Sequence, residues 1–215
     1  MTSRARETIL KKIRKALSIK VAIPYPQTDV IVNHYAPEHD DLELEFAENF
    51  SKLLGKFSYC IDSNELSQQL QALVAFRKWT KIFCAEQKIR ALLEKAGITS
   101  LFTDDLNNCE VAITGCENLV ARTGSIVLTS VQTDGRNSSV YAPIHICIAY
   151  QKQLVYDVEK SLSSMQIKYK RNLPSLITFA TGPSRTADIE KTLVVGVHGP
   201  KEVYCFLVDE FLSRP

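Results

Sequence analysis

Apolar residues in this chain recur at two spacings, and the alternation between them sets out a fold. Residues 57–61 and 81–85 hold short apolar runs that read as strands. Between and after them, Leu66, Leu70 and Leu73 within 64–77, and Ile89, Leu92, Leu93 and Ala96 around 86–95, fall three or four apart, as on one helix face. Gly97 stands where a left-handed cap would end the second helix. The second half is richer in strands, at 110–114, 125–129, 144–149, 175–180 and 203–208, with one further helix at 157–166 carried by Val158, Leu162 and Met165. Repeated strand–helix units predict an α/β fold, a mostly parallel sheet flanked by helices.

The N-terminal part has a different pattern. Ile9, Leu10, Ile13 and Leu17 keep helical spacing while Arg4, Lys11 and Lys15 take another face, which describes a basic amphipathic helix over residues 3–17. Pro24, Pro26 and Pro37 then interrupt any helix and describe an extended linker. We therefore expect an N-terminal helical arm and linker at 1–40 and one α/β domain at 41–215. An acidic stretch at 38–48, with Glu38, Asp40, Asp41, Glu43, Glu45 and Glu48, is the nearest counterpart for the basic helix. His34 and His39 sit in the linker without other ligands at metal spacing, and no metal site is expected there or elsewhere.

With 45% hydrophobic and 23% charged positions, the composition is that of a globular protein with one sizeable core. The net charge of +2 hides an asymmetry: residues 1–20 carry +6 and the remainder −4, so the chain as a whole is not expected to bind nucleic acid. Cys60, Cys84, Cys109, Cys116, Cys147 and Cys205 have no C-x-x-C spacing and read as buried free thiols; Cys109 and Cys116, flanking one strand, are the pair to test as a redox couple. No run approaches the ~20 apolar residues that span a bilayer, and no secretory leader is visible. A cytoplasmic location and no membrane partner are the expectations. Pro24 and Pro26 and the lack of a Ser-rich tract argue against a mitochondrial presequence.

Ligand-capable groups are densest at 182–200, G-P-S-R-T-A-D-I-E-K-T-L-V-V-G-V-H-G-P. Gly182 and Pro183 close the apolar run 176–180, so Ser184, Arg185 and Thr186 should emerge at the carboxyl end of a strand, where open α/β sheets bind ligands. A guanidinium between two hydroxyls suits a carboxylate or phosphate. A helix starting near Thr186 would reinforce that preference; alternatively Ser184 or Thr186 caps such a helix and Arg185 pairs with Asp188 or Glu190. As an i,i+2 pair, Asp188 and Glu190 would have separate roles, with Asp188 assigned to the site. His198, between Gly196 and Gly199-Pro200, is held on a constrained turn as a candidate general acid/base, and His145 reads as a hydrogen-bonded core histidine. Thr123-Gly124-Ser125 is a candidate source of backbone N–H donors to the same pocket, or simply a turn entering a strand. The polar segment 132–139 reads as a surface loop. No G-x-G-x-x-G, Walker A, G-x-S-x-G or H-E-x-x-H pattern is present.

Four motifs carry a family resemblance: A-R-T-G-S-I-V-L at 121–128, A-P-I-H-I at 142–146, G-P-S-R-T-A-D-I-E at 182–190 and G-V-H-G-P at 196–200. Together they resemble the LUD (lactate-utilisation) domain family, specifically its LutC-like branch, also described as the YkgG family. The resemblance covers about residues 45–212 and leaves the basic arm unexplained. It implies a fold similar to the NagB/RpiA/CoA-transferase group and membership of a three-protein system in which iron–sulfur proteins oxidise lactate to pyruvate. Carried over, Thr123, Gly124, Ser125, Gly182, Ser184, Arg185, Thr186, Asp188, His198 and Gly199 become the expected pocket, and the resemblance does not itself assign their roles; on the chemistry of the residues, Asp188 and His198 are the candidate catalytic residues and the others the candidate substrate-binding ones. The chain has no ferredoxin-like cysteine cluster, so no cofactor is expected in it and iron–sulfur clusters are expected in its partners. The expected ligand is a small carboxylate or phosphate, and the role that of an accessory or substrate-handling subunit. The alternatives are a stand-alone enzyme acting on a phosphorylated, CoA-linked or folate-like metabolite, and a purely structural assembly factor.

Overall fold

Asp41, Asp62 and Asp157 each start a helix by accepting hydrogen bonds from backbone N–H groups of its first turn, replacing partners that the helix itself cannot supply. In the computed structural model of the chain, residues 4–18, 41–132, 135–187 and 193–209 are described. His34, His39, the linker prolines, Asp188 and Glu190 lie outside them. The chain divides into two units, Met1–Pro37 and Glu38–Pro215. The first contains helix α1 (Arg4–Leu17), whose large apolar side chains are exposed.

The second unit begins with α2 (Leu42–Lys52), β1 (Lys56–Cys60), α3 (Ser63–Arg77), β2 (Ile82–Phe83), α4 (Gln87–Lys95), β3 (Phe102–Thr103) and β4 (Val111–Thr114). It continues with β5 (Asn118–Val120), β6 (Ser125–Thr129), α5 (Gly135–Tyr141), β7 (Ile144–Tyr150), β8 (Leu154–Val155) and α6 (Val158–Tyr169). Four strands follow: β9 (Ile177–Ala180), β10 (Arg185–Ala187), β11 (Leu193–Val195) and β12 (Glu202–Val208). Gly97 takes the left-handed conformation just after α4 (φ 71°), as its position predicts.

Six strands, in the order β1-β12-β7-β4-β2-β3, make an all-parallel sheet flanked by helices. Its central strands are apolar at nearly every position because both faces are covered. The period of two along β7 divides the core: Ile144, Ile146 and Ile148 pack with Leu66 and Leu70 of α3 and Ile89 and Leu93 of α4. On the opposite face, Cys147 and Ala149 pack with Phe46 and Phe50 of α2 and with Leu119, Ile126 and Leu128 of a second sheet.

That second sheet, β8-β5-β6-β9, is mixed, with β6 antiparallel to both neighbours. Its outer face holds Val120 and Val127 against Met165 of α6. The sequence pattern did not separate these strands from the main sheet. The segment 132–139, read as a surface loop, contains the start of α5, and its Ser138 and Ser139 are buried. Serine and asparagine disguise this short helix because both compete with helical backbone hydrogen bonds in isolation.

Candidate functional site

The two glycine-bearing motifs at 182–190 and 196–200 meet. β10 and β11 form an antiparallel hairpin with Arg185 opposite Val195, Thr186 opposite Val194 and Ala187 opposite Leu193. No helix starts at Thr186, so neither a helix dipole nor a helix cap accounts for Ser184 and Thr186; β-branched Val194 and Val195 favour the extended pairing instead. At the hairpin base Ser184 donates its N–H to the Pro200 carbonyl (2.9 Å), and Gly196 donates to the Ser184 carbonyl (2.9 Å). A side chain at Gly199 would approach Ser184 Cβ to 2.9 Å, so this close crossing requires glycine.

Beside this crossing lies an open groove of about 520 Å³, lined by Val140 and Tyr141 of α5, Pro143, the segment from Gly196 to Gly199, and Lys201. His198 is exposed in it, and Tyr141 and Val197 supply apolar surface. Arg185 is exposed one residue beyond the Ser184 crossing. Pro143 and Lys201 immediately precede β7 and β12, whose first residues Ile144 and Glu202 are register partners. The groove is therefore at the amino edge of the parallel sheet. The expectation of a strand's carboxyl end holds only for β9, which belongs to the second sheet. Lys201 and Tyr141 were missed in the sequence; Lys201 directly follows G-V-H-G-P and was available as a signal.

The other motif residues have a different local task. Thr123 Oγ1 and Ser125 Oγ lie 2.7 Å apart, and Ser125 Oγ lies 2.8 Å from Thr181 Oγ1, a hydroxyl chain tying the start of β6 to the end of β9. Gly124 donates its N–H to the Ala121 carbonyl (3.2 Å) and Ser125 pairs with Val120, so this turn is committed to local structure rather than offering both N–H groups to a ligand. Both Gly124 (φ 60°) and Gly182 (φ 79°) have left-handed backbones against the end of α2. A Cβ would lie 2.6 Å from Phe50 N at the first and 2.5 Å from Leu53 O at the second. Asn49 completes the seat, donating its amide to the Ala121 (3.0 Å) and Arg122 (3.2 Å) carbonyls. Thus His198 and Gly199 line the groove with Ser184 at the crossing beside it, Arg185 stands on the adjoining strand, Thr123 and Ser125 tie β6 to β9, and Gly124 and Gly182 seat α2. Asp188 lies outside the described residues, as does the Asp188–Glu190 division of roles.

His145 is buried with its Nε2 2.8 Å from Thr114 Oγ1, and burial lowers its pKa to about 4, so its ring is neutral at physiological pH. All six cysteines are buried and free. Cys109 and Cys116 do not form a couple: one precedes β4 and the other follows it, about 20 Å apart along an extended chain, and they pack in different clusters. Cys116 instead neighbours Cys147, whose hydrogen bond, together with burial, raises the Cys116 pKa well above the ordinary thiol range. At the opposite, carboxyl edge of the sheet, Glu86 accepts from Gly115 N–H (2.8 Å); burial raises its pKa, and its position before α4 gave no such signal in the sequence.

Residues 43–208 match the family described as the LUD domain. The chain is 37% identical over 103 residues to Lactate utilization protein C of Halalkalibacterium halodurans, covering 47% of this chain and 44% of that protein. It is 30% identical over 105 residues to Lactate utilization protein C of Deinococcus radiodurans, covering 48% and 49% respectively. An uncharacterized protein of Neisseria meningitidis is 26% identical over 119 residues, 55% of this chain and 51% of that one. The chain spans about half the length of the curated relatives it matches. The crystal structure of a DUF162 family protein from Deinococcus radiodurans shares the fold, with a TM-score of 0.60 at 16% identity over 80% of this chain and 99% of that one. The family match takes in both sheets and all the described motif residues, and on it the chain belongs to the LUD domain family.

Proposed function

We propose that this chain is an accessory, substrate-handling subunit of a lactate-to-pyruvate oxidation system whose redox centres reside in iron–sulfur partner proteins. The observation that carries the reading is the crossing of residues 182–185 and 196–201 beside a groove that holds His198 and Lys201, in a chain whose relatives include proteins named Lactate utilization protein C. Arg185 offers a planar, two-pronged donor for the substrate carboxylate. Apolar Val197 and the Tyr141 ring suit the methyl group. Lactate becomes pyruvate by losing two protons and two electrons; His198 would accept the hydroxyl proton. The two electrons would pass to the redox centres of a partner, and the hydrogen on the reacting carbon would leave as the second proton to a base there. The six cysteines of this chain serve as packed core side chains, consistent with that division of labour.

The test is calorimetric titration of the full chain with pyruvate and with L-lactate. A charged hydrogen bond contributes about 1.5–3 kcal/mol, so Arg185→Ala should weaken binding by roughly tenfold to a hundredfold with unchanged circular dichroism. Unaltered affinity in that variant would remove Arg185 from the site. Tight binding of inorganic phosphate or coenzyme A, with none of either carboxylate, would replace this reading with that of a stand-alone enzyme on a phosphorylated or CoA-linked metabolite.

A further inference from the structure

Helix α1 exposes the apolar side chains that an amphipathic helix normally buries: Ile9 is 57% exposed, Leu10 39%, Ile13 47% and Leu17 79%. At 100° per residue these four fall within an arc of about 100°. Arg4, Lys11, Lys12, Arg14 and Lys15 take the remainder, both beside the apolar arc and opposite it, with Glu7 the single acidic residue of the helix. A helix of this length is marginal on its own in water, so its apolar face needs a counterpart. We propose that α1 is an interfacial helix that lies in an anionic lipid surface, its Ile/Leu face among the acyl chains and its cations among the headgroups.

The placement of charge selects lipid over a protein groove. A groove would meet only the cations flanking the apolar arc, whereas a charged surface acts across the whole ~10 Å helix, within about one Debye length. Arg6, which projects within the apolar arc, has a stem long enough to lift its guanidinium to the headgroups. Fourteen residues make a helix about 21 Å long, short of the ~30 Å hydrocarbon core, so α1 lies along the surface and does not cross it. Among the described residues no helix is long and apolar enough to span a membrane. The expectation of no membrane partner rested on the lack of such a span, which an interfacial helix does not need. Residues 21–215, at −4, would be repelled by the same surface, confining contact to the basic segment.

The experiment is co-sedimentation of the full chain with vesicles of phosphatidylglycerol and phosphatidylcholine, and with phosphatidylcholine alone, at low and physiological salt. We expect binding to the anionic vesicles that is more than about tenfold tighter than to the zwitterionic ones and weakens with salt. Ile9→Ser/Ile13→Ser and Lys11→Glu/Lys15→Glu should each reduce it by more than about tenfold, with the urea midpoint of the body unchanged. No binding to anionic vesicles at low salt, or binding indifferent to both variants, would overturn the proposal. Loss of a co-purifying protein in Ile9→Ser/Ile13→Ser without any vesicle binding would make α1 a protein-docking helix instead. None of these outcomes depends on the lactate reading, which is tested at Arg185.

Discussion

Gly124→Ala separates two accounts of a motif residue, one in which the glycine admits a ligand and one in which it admits α2. Its φ of 60° would strain any L side chain, at a cost of about 1–2 kcal/mol. The added Cβ would also stand 2.6 Å from Phe50 N and 2.8 Å from Asn49 C. These are backbone atoms of a packed helix and cannot rotate away, so relief requires α2 to shift at an overpacking cost of about 1–3 kcal/mol. The expected loss is therefore about 2–5 kcal/mol, a large part of the ~5–15 kcal/mol that holds a typical domain together. Equilibrium urea unfolding followed by fluorescence measures it. Gly97→Ala is the control: it shares the left-handed backbone (φ 71°) but meets nothing nearer than Gln71 Nε2 at 3.6 Å, so it should show the conformational cost alone. Equal losses in the two variants, or a loss below about 1 kcal/mol at Gly124, would refute the packing argument.

Glu202 should give the fold an acid-sensitive component. Burial raises its pKa, but hydrogen bonds from Lys56, Arg77 and Tyr204 outweigh that and hold it at about 2 against an ordinary 4.5. The unfolded chain then binds the proton more readily, so this contribution is present above pH 4.5 and is lost as pH falls through about 2. The full difference corresponds to ~3 kcal/mol; because Glu202 is 27% and Lys56 49% exposed, solvent screening reduces it to about 1 kcal/mol. Urea midpoints measured between those pH values should lose that part of their slope in Glu202→Gln, and an unchanged slope would contradict the pairing. The cysteines make a second prediction: with all six buried, a thiol reagent such as DTNB should label fewer than about one per native chain within minutes and all of them in denaturant. Rapid native labelling would mean that the core opens far more readily than its packing indicates.

The central strands of the main sheet were legible in the sequence because they are covered on both faces and therefore appear as uninterrupted apolar runs. Residues 110–114, 144–149 and 203–208 fall within one residue of β4, β7 and β12 at each end. Helices α3 and α4 were legible from the i,i+4 spacing of Leu66 and Leu70 and of Ile89 and Leu93, all of which are buried as expected. What escaped is short or depends on distant partners. β3, β5, β8 and the β10–β11 hairpin have two or three residues in each strand, too few for any period to show. At the site, local sequence identified the crossing motifs at 182–185 and 196–200, because glycines there answer to local geometry. It did not place them at the amino edge of the sheet, which follows from the return of the chain into β12 beside β7. Nor did it show that Gly124 and Gly182 meet α2, a contact made across some 70 residues in one case and more than 100 in the other.

Native mass spectrometry of the chain, tagged and isolated anaerobically from its own host, tests the proposed role most directly, since it reports co-purifying proteins and retained small molecules together. Substrate handling within a lactate-oxidation assembly predicts iron–sulfur proteins in the isolated complex, with a lactate- or pyruvate-sized ligand lost in Arg185→Ala. A lone chain carrying a phosphorylated or CoA-type molecule would contradict it.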